Sequence, residues 1–196
     1  MKLLFVDACP RDPAVSRTYR LCEAFCAAFA DSHPGWVIQR VRLADLDLPP
    51  FDGQRVLARE ALVDADAFDA PEFALARDLA ACDLLLIGAP YWDLSFPAML
   101  KLWVEHIFVR RLTFVYTPEG DPVGLCKARS VMYLTTAGSP VGENDFGETY
   151  LRGVTGLLGM GPLSSVRAEG LDIQTNDAEA LLAQAMQKAR ELARSL

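Results

Sequence analysis

Five short apolar runs, each followed by a stretch of helical periodicity, constrain the fold of this chain more than any other feature. The runs are KLLFVDA (2–8), WVIQRVRL (36–43), DLLLIG (83–88), RSVMYLTTAG (129–138) and SSVRAEGL (164–171). Each has the length and composition of a strand. Helical patterns occupy 16–32, 71–81, 97–109 and 145–158, and a last one covers about 177–195 after Asn176, the expected cap. Parallel strands need a crossover, and crossover helices pack on the faces of the sheet. The expected fold is therefore α/β, a three-layer sandwich around a five-stranded parallel sheet. Residues 44–70 are irregular, a surface excursion with a short helix over 55–65. No repeat, low-complexity tract or linker interrupts the 196 residues, so one domain, 1–196, is expected.

Two strand orders suit five such units, the dinucleotide-binding type and 2-1-3-4-5, and the first strand-to-helix turn separates them. A dinucleotide site wants G-x-G-x-x-G there. This chain has DACPRDPAVSRTYR (7–20), with no glycine. The turn instead carries Cys9, Arg11, Ser16, Arg17 and Thr18. Ser16 and Thr18 fall at the start of the first helix, where free N–H groups and the helix dipole favour an anion. Two readings fit: a cradle for a terminal monophosphate, or a plain cap at Ser16 with Thr18 as ordinary surface.

The second candidate segment is APYWDLSFPAMLKLWVEHIF (89–108). It starts where the third strand ends, and ligands of open α/β sheets sit at the carboxyl ends of the strands. Pro90, Tyr91, Trp92, Asp93 and Leu94 are thus placed to hold something flat. Trp103 and Phe108, on the apolar helix that follows, suit a contact between two copies of the chain.

The remaining features mostly exclude. A net charge of -7 argues against a general nucleic-acid partner. No apolar stretch approaches the roughly 20 residues that span a bilayer. MKLLFVDACPRD, with one lysine, reads as a strand and not as a signal peptide. Five cysteines include no CxxC pair, and Cys22 and Cys26 read as apolar packing on one helix. A reducing cytoplasm is the expected location. His33 lies at a helix stop before Pro34 and Gly35, and His106 lies inside a helix, so no metal site is expected. Arg110 and Arg111 read as helix-end or interface residues, with contacts to a nicotinamide phosphate as the alternative.

Four segments, in order, resemble the FMN-dependent NADH-azoreductases and the related NAD(P)H quinone oxidoreductases of flavodoxin-like fold. ACPRDPAVSRT (8–18) is similar to that family's serine-rich phosphate turn. GAPYWDLSFPAMLKLWVEHI (88–107) is similar to its P-M-Y-N-F…P…LK pattern. LTFVYTPEGDPVGLCKARSVMYLTTAG (112–138) resembles T-F-x-Y…G-x-x-G-L…K and the strand into a glycine loop. YLRGVTGLLGMG (150–161) resembles a helix ending in L-G-x-x-G. The resemblance implies the 2-1-3-4-5 order, FMN as cofactor, and a homodimer with flavin slots near the interface. It implies ping-pong hydride transfer from NAD(P)H to quinones or related electron-poor aromatics such as azo compounds. The implied cofactor-binding residues are Cys9, Arg11, Ser16, Arg17 and Thr18, then Pro90, Tyr91, Trp92, Asp93 and Leu94, then Thr136, Ala137, Gly138 and Ser139. No catalytic acid is assigned, since a quinone can take its protons from water. The chain departs from the pattern in carrying Cys9 for serine, Tyr91 for methionine, and Trp92-Asp93-Leu94 for tyrosine-asparagine-phenylalanine. A flavin-binding electron carrier and a non-catalytic binding or regulatory protein are the alternative readings.

Overall fold

The computed structural model describes residues 1–196. Its strands are β1 (Lys2–Asp7), β2 (Val37–Arg42), β3 (Leu84–Gly88), β4 (Phe114–Tyr116), β5 (Pro122–Gly124), β6 (Val131–Thr136) and β7 (Leu163–Ala168). Its helices are α1 (Arg17–Ser32), α2 (Gly53–Asp64), α3 (Ala74–Ala81), α4 (Ala98–Ile107), α5 (Phe146–Leu157) and α6 (Ala178–Arg194).

The apolar runs become strands because their alternate side chains feed two separate cores. Leu3 and Phe5 of β1, Leu84 and Leu86 of β3, and Met132 and Leu134 of β6 join one cluster. They pack there with Leu21, Phe25 and Phe29 of α1 and with Leu182, Ala185 and Ala189 of α6. Leu4, Val6, Leu85, Ile87, Val131 and Tyr133 point the other way, onto Leu79 of α3, Trp103 and Val104 of α4, and Leu151 of α5. The five strands pair in parallel in the order β2-β1-β3-β6-β7. Counted along the chain, that is the expected 2-1-3-4-5. The order reverses between β1 and β3, so the turns after these two strands diverge and leave a crevice at their carboxyl ends.

The helix expected over 55–65 is α2, whose cap Asp52 accepts the N–H of Arg55. Several other expectations change. The hairpin β4–β5 is unforeseen, because two three-residue strands, one starting at Pro122, are too short to show a period. Asp177, not Asn176, caps α6 by accepting the N–H of Ala180, while Asn176 Nδ2 donates to Gly170 O. Trp103 is only 1% exposed, in the core, and offers nothing to a second copy.

His33 ends α1, its N–H donating to Phe29 O. His106 packs against Phe51, with Nε2 3.1 Å from Pro49 O. Arg110 and Arg111 pair with Asp64 and Asp66, beside the end of α2. All five cysteines are buried and unpaired. Burial pushes the Cys26 and Cys82 thiols up to about 12 and that of Cys126 up to about 11, so none of the three is a nucleophile near neutral pH. No helix is long and apolar enough to cross a membrane.

Candidate functional site

The turn after β1 is built by carboxylates and ends in open N–H groups. Buried Asp7 accepts the N–H of Cys9 at 2.9 Å and lies 3.4 Å from Arg42 Nε. Asp12 then winds the chain: its side chain accepts the N–H of Ala14, and its carbonyl accepts those of Val15 and Ser16. Ser16 is thereby set as the N-cap of α1, its hydroxyl accepting the N–H of Tyr19 at 3.2 Å. The Ser16 carbonyl takes the N–H of Arg20, whereas the N–H groups of Arg17 and Thr18 find no acceptor in the chain. No acid occupies the first turn of α1. Apart from the Ser16 hydroxyl, the positive end of the helix is left without a partner from the protein.

Beside it lies a cavity of about 500 Å3, within the range of small-molecule sites. Three strand ends contribute walls: Arg11, Ser16, Arg17 and Thr18 after β1, Pro90, Tyr91 and Trp92 after β3, and Thr136, Ala137 and Gly138 at the end of β6. Thr18 is not ordinary surface. It is 2% exposed, and its hydroxyl lies 2.6 Å from that of Thr136, which ties the start of α1 to β6. Tyr91 is fixed at both ends, its N–H donating to Thr136 O and its hydroxyl to Asn144 O. Trp92 stays about half exposed at the rim.

Four expected residues stand off the cavity wall. Cys9 turns inward, its Sγ toward Gly88 O, and burial followed by the Asp7 charge raises its pKa. Asp93 and Leu94 form the tip of a two-residue turn in which Trp92 and Ser95 exchange both backbone hydrogen bonds. Their φ values of +50° and +65° are those of a type I′ turn. Asparagine or aspartate suits its first position and glycine its second. Leucine there is strained by about 1–2 kcal/mol. The turn leaves the N–H groups of Asp93 and Leu94 without acceptors. Ser139 lies one residue past the wall, beyond Gly138.

Three lining residues escaped the sequence reading: Pro10, Leu171 and Asp172. The segment after β7 is stapled to the β6 loop, with Leu171 N–H donating to Ala137 O and Asp172 N–H to Gly138 O. A Cβ on Gly138 would sit 2.3 Å from an Asp172 carboxylate oxygen, so a larger residue there would displace that side chain. The Gly138 N–H has no acceptor in the chain. Arg17 Nη1 reaches across to Asp172 Oδ1 at 2.7 Å and Leu171 O at 3.2 Å. Arg11 makes no ion pair. No cluster of His, Cys, Asp or Glu could hold a metal.

The donors suit one monophosphate: two free N–H groups, two hydroxyls and two guanidinium groups around one helix end. The absence of glycine from residues 7–20 leaves no close backbone approach for a pyrophosphate. Aromatic walls and the free N–H of Gly138 suit a flat heterocycle. FMN has this combination of groups.

A family model described as flavodoxin-like fold matches residues 1–193. An FMN-dependent NADH:quinone oxidoreductase of Clostridium acetobutylicum is 32% identical over 98% of each chain. The crystal structure of an azoreductase from Bacillus anthracis superposes with a TM-score of 0.88 at 24% identity, over 100% of both chains. That of an FMN-dependent NADH-azoreductase from the same species, in complex with FMN, gives 0.86 at 21% identity, over 99% of this chain and 98% of the other. The chain belongs to the flavodoxin-like family that contains the FMN-dependent NADH:quinone oxidoreductases.

Proposed function

We propose that this protein is an FMN-dependent oxidoreductase that passes hydride from NAD(P)H to quinones or related electron-poor aromatics such as azo compounds. The observation that carries this reading is the cavity at the carboxyl ends of β1, β3 and β6, with the uncovered start of α1 at one end and Tyr91 and Trp92 along a wall. The curated relative named as an FMN-dependent NADH:quinone oxidoreductase supports it over nearly the whole chain.

In this reading the N–H groups of Arg17 and Thr18, the hydroxyls of Ser16 and Thr18, and Arg11 hold the phosphate. Tyr91 and Trp92 flank the ring system, and the N–H groups of Gly138, Asp93 and Leu94 serve its polar edge. The flavin, when bound, accepts and donates hydride. The backbone donors favour negative charge at the ring edge, since fixed dipoles need not reorganise during the reaction. Donor and acceptor take turns at one open face, which gives ping-pong kinetics. Quinone protons come from water at the half-exposed rim, so no acid on the chain is required.

Exposed Trp92, Leu94 and Phe146 crowd the same rim, the N–H of Phe146 bonding to Leu94 O. They support a homodimer that covers the slot. Five unpaired thiols support a reducing, cytoplasmic setting. The test is direct. The purified protein should be yellow, release FMN and not FAD on heating, and oxidise NADH with menadione. A colourless protein that takes up no FMN overturns the reading. FMN without NADH turnover leaves the electron-carrier alternative. Sedimentation should give twice 21.5 kDa.

A further inference from the structure

Asp172 is a carboxylate in the wall of a cavity whose other charged residues are cations, Arg11 and Arg17. The backbone at Asp172 is fixed, and its carboxylate is held by the pairing with Arg17. The Asp172 N–H is tied to Gly138 O, and its carboxylate lies where a Gly138 Cβ would be. Gly170, at φ +74°, turns the chain just before it, and Asn176 holds the Gly170 carbonyl. The carboxylate takes one of the two cations, Arg17, at 2.7 Å.

We propose, resting on the FMN reading, that Asp172 is an affinity- and specificity-setting residue. It competes with the phosphate of the cofactor for Arg17, and so lowers the advantage of a phosphorylated flavin over an unphosphorylated one. One guanidinium has two claimants, the carboxylate and a phosphate at the start of its own helix. An Arg17 engaged by Asp172 contributes less to the phosphate. The pair is solvent-exposed, with the Arg17 side chain 39% and that of Asp172 71% accessible. The effect is therefore moderate and salt-dependent. Arg11, unpaired, keeps its full charge for the phosphate, so the site still selects FMN. A site attenuated in this way holds its cofactor less tightly than its donors allow, and exchanges it faster.

The experiment measures dissociation constants for FMN and riboflavin by flavin fluorescence. The proteins are the wild type, Asp172→Asn, Arg17→Gln and the double variant, each stripped of flavin, at low and high salt. Melting curves without flavin establish that each variant folds. Asp172→Asn keeps the size of the side chain and removes its charge. It should tighten FMN by about 3- to 5-fold at low salt and by less at high salt, with riboflavin unchanged. In the Arg17→Gln background the gain should fall below about twofold, because no guanidinium remains to be released. Unchanged or weaker FMN binding in Asp172→Asn overturns the proposal. So does an equal gain for riboflavin, or an equal gain with and without Arg17. Wild-type protein that binds no FMN would instead overturn the cofactor reading.

Discussion

The helices α1 and α5 both follow a strand and begin at the same end of the sheet, yet their N-termini are finished in opposite ways. At α5 the protein supplies the anions itself. Asp145 caps the helix by accepting the N–H of Glu148, and Glu148 lies in the first turn. Arg167 joins Asp145, Glu148 and Glu169, and Arg152 also binds Glu148. At α1 the cap is the neutral Ser16, no acid follows in the first turn, and two N–H groups stay open beside a cavity. A helix dipole complemented from within stabilises the fold. One left uncomplemented beside a cavity is open to an anion from a ligand. In the proposed reading the same structural device serves stability at one strand end and binding at the other.

The largest expected effect separates the two ends. Ser16→Ala combined with Thr18→Ala should cost FMN binding on the order of 3 kcal/mol, roughly a hundredfold in Kd, since hydrogen bonds to a charged phosphate contribute about 1.5–3 each. The fold should lose less, about 1 for the cap and about 1 for the Thr18–Thr136 contact. Fluorescence titration set against melting of the flavin-free protein measures both. A larger loss in the fold than in binding would make α1 an ordinary capped helix.

Next in size is Glu148→Gln, which should do the reverse. Removing one partner of a buried ion cluster costs about 3 kcal/mol or more, and the exposure of Arg152 reduces this to about 2. The FMN Kd should not move. The pH dependence follows from the Glu148 carboxyl. Burial pushes its pKa up, but hydrogen bonds from Arg152, Ser165 and Arg167 outweigh this and hold it below the ordinary 4.5. A lowered folded-state pKa gives stability that is fully present above the unfolded value and lost as pH falls through the folded one. Wild type should therefore exceed Glu148→Gln at pH 7, and the gap should close below about pH 4.5 in denaturant titrations.

The two ends also differ in backbone strain. No residue of α5 or its cap has positive φ, whereas the rim of the cavity carries Leu94 at φ +65°. Leu94→Gly relieves the left-handed strain but adds freedom to the unfolded chain. It should raise stability by about 0.5 kcal/mol, or 1–2 °C in Tm. A fall in Tm would show that the half-exposed side chain is held by contacts at this turn. The smallest expected effect concerns the acceptor. Two large aromatics, Tyr91 and Trp92, and the nearby carboxylates of Asp93 and Asp172 favour flat, neutral acceptors over sulfonates. The kcat/KM for menadione should exceed that for a sulfonated azo dye at saturating NADH. The opposite ranking would reject the argument from slot shape and charge.

These contrasts were unevenly legible in the sequence. The strands declared themselves because Leu3, Leu4, Phe5 and Val6 are all buried, two on each face, which produces an unbroken apolar run. Ser16 was legible because a cap is a local event. Asp172 was not, since it meets Arg17 across 155 positions, through the register of β7 on β6. Leu94 could not be read as a left-handed residue, because nothing in a leucine announces positive φ. Cys9 sits in a polar turn but follows the inward side of it, toward Gly88 O. Trp103 reads as available because most of its helix is apolar, and only the packing onto β3 and β6 shows it is core.

The claim that the start of α1 is a phosphate site is tested most directly by titrating the flavin-free protein with FMN and with riboflavin side by side. The two ligands differ only in the phosphate. With two free N–H groups, two hydroxyls and Arg11 around one helix end, FMN should bind well over about a hundredfold more tightly than riboflavin, with the difference shrinking as salt is raised. Equal affinity for the two would contradict the account.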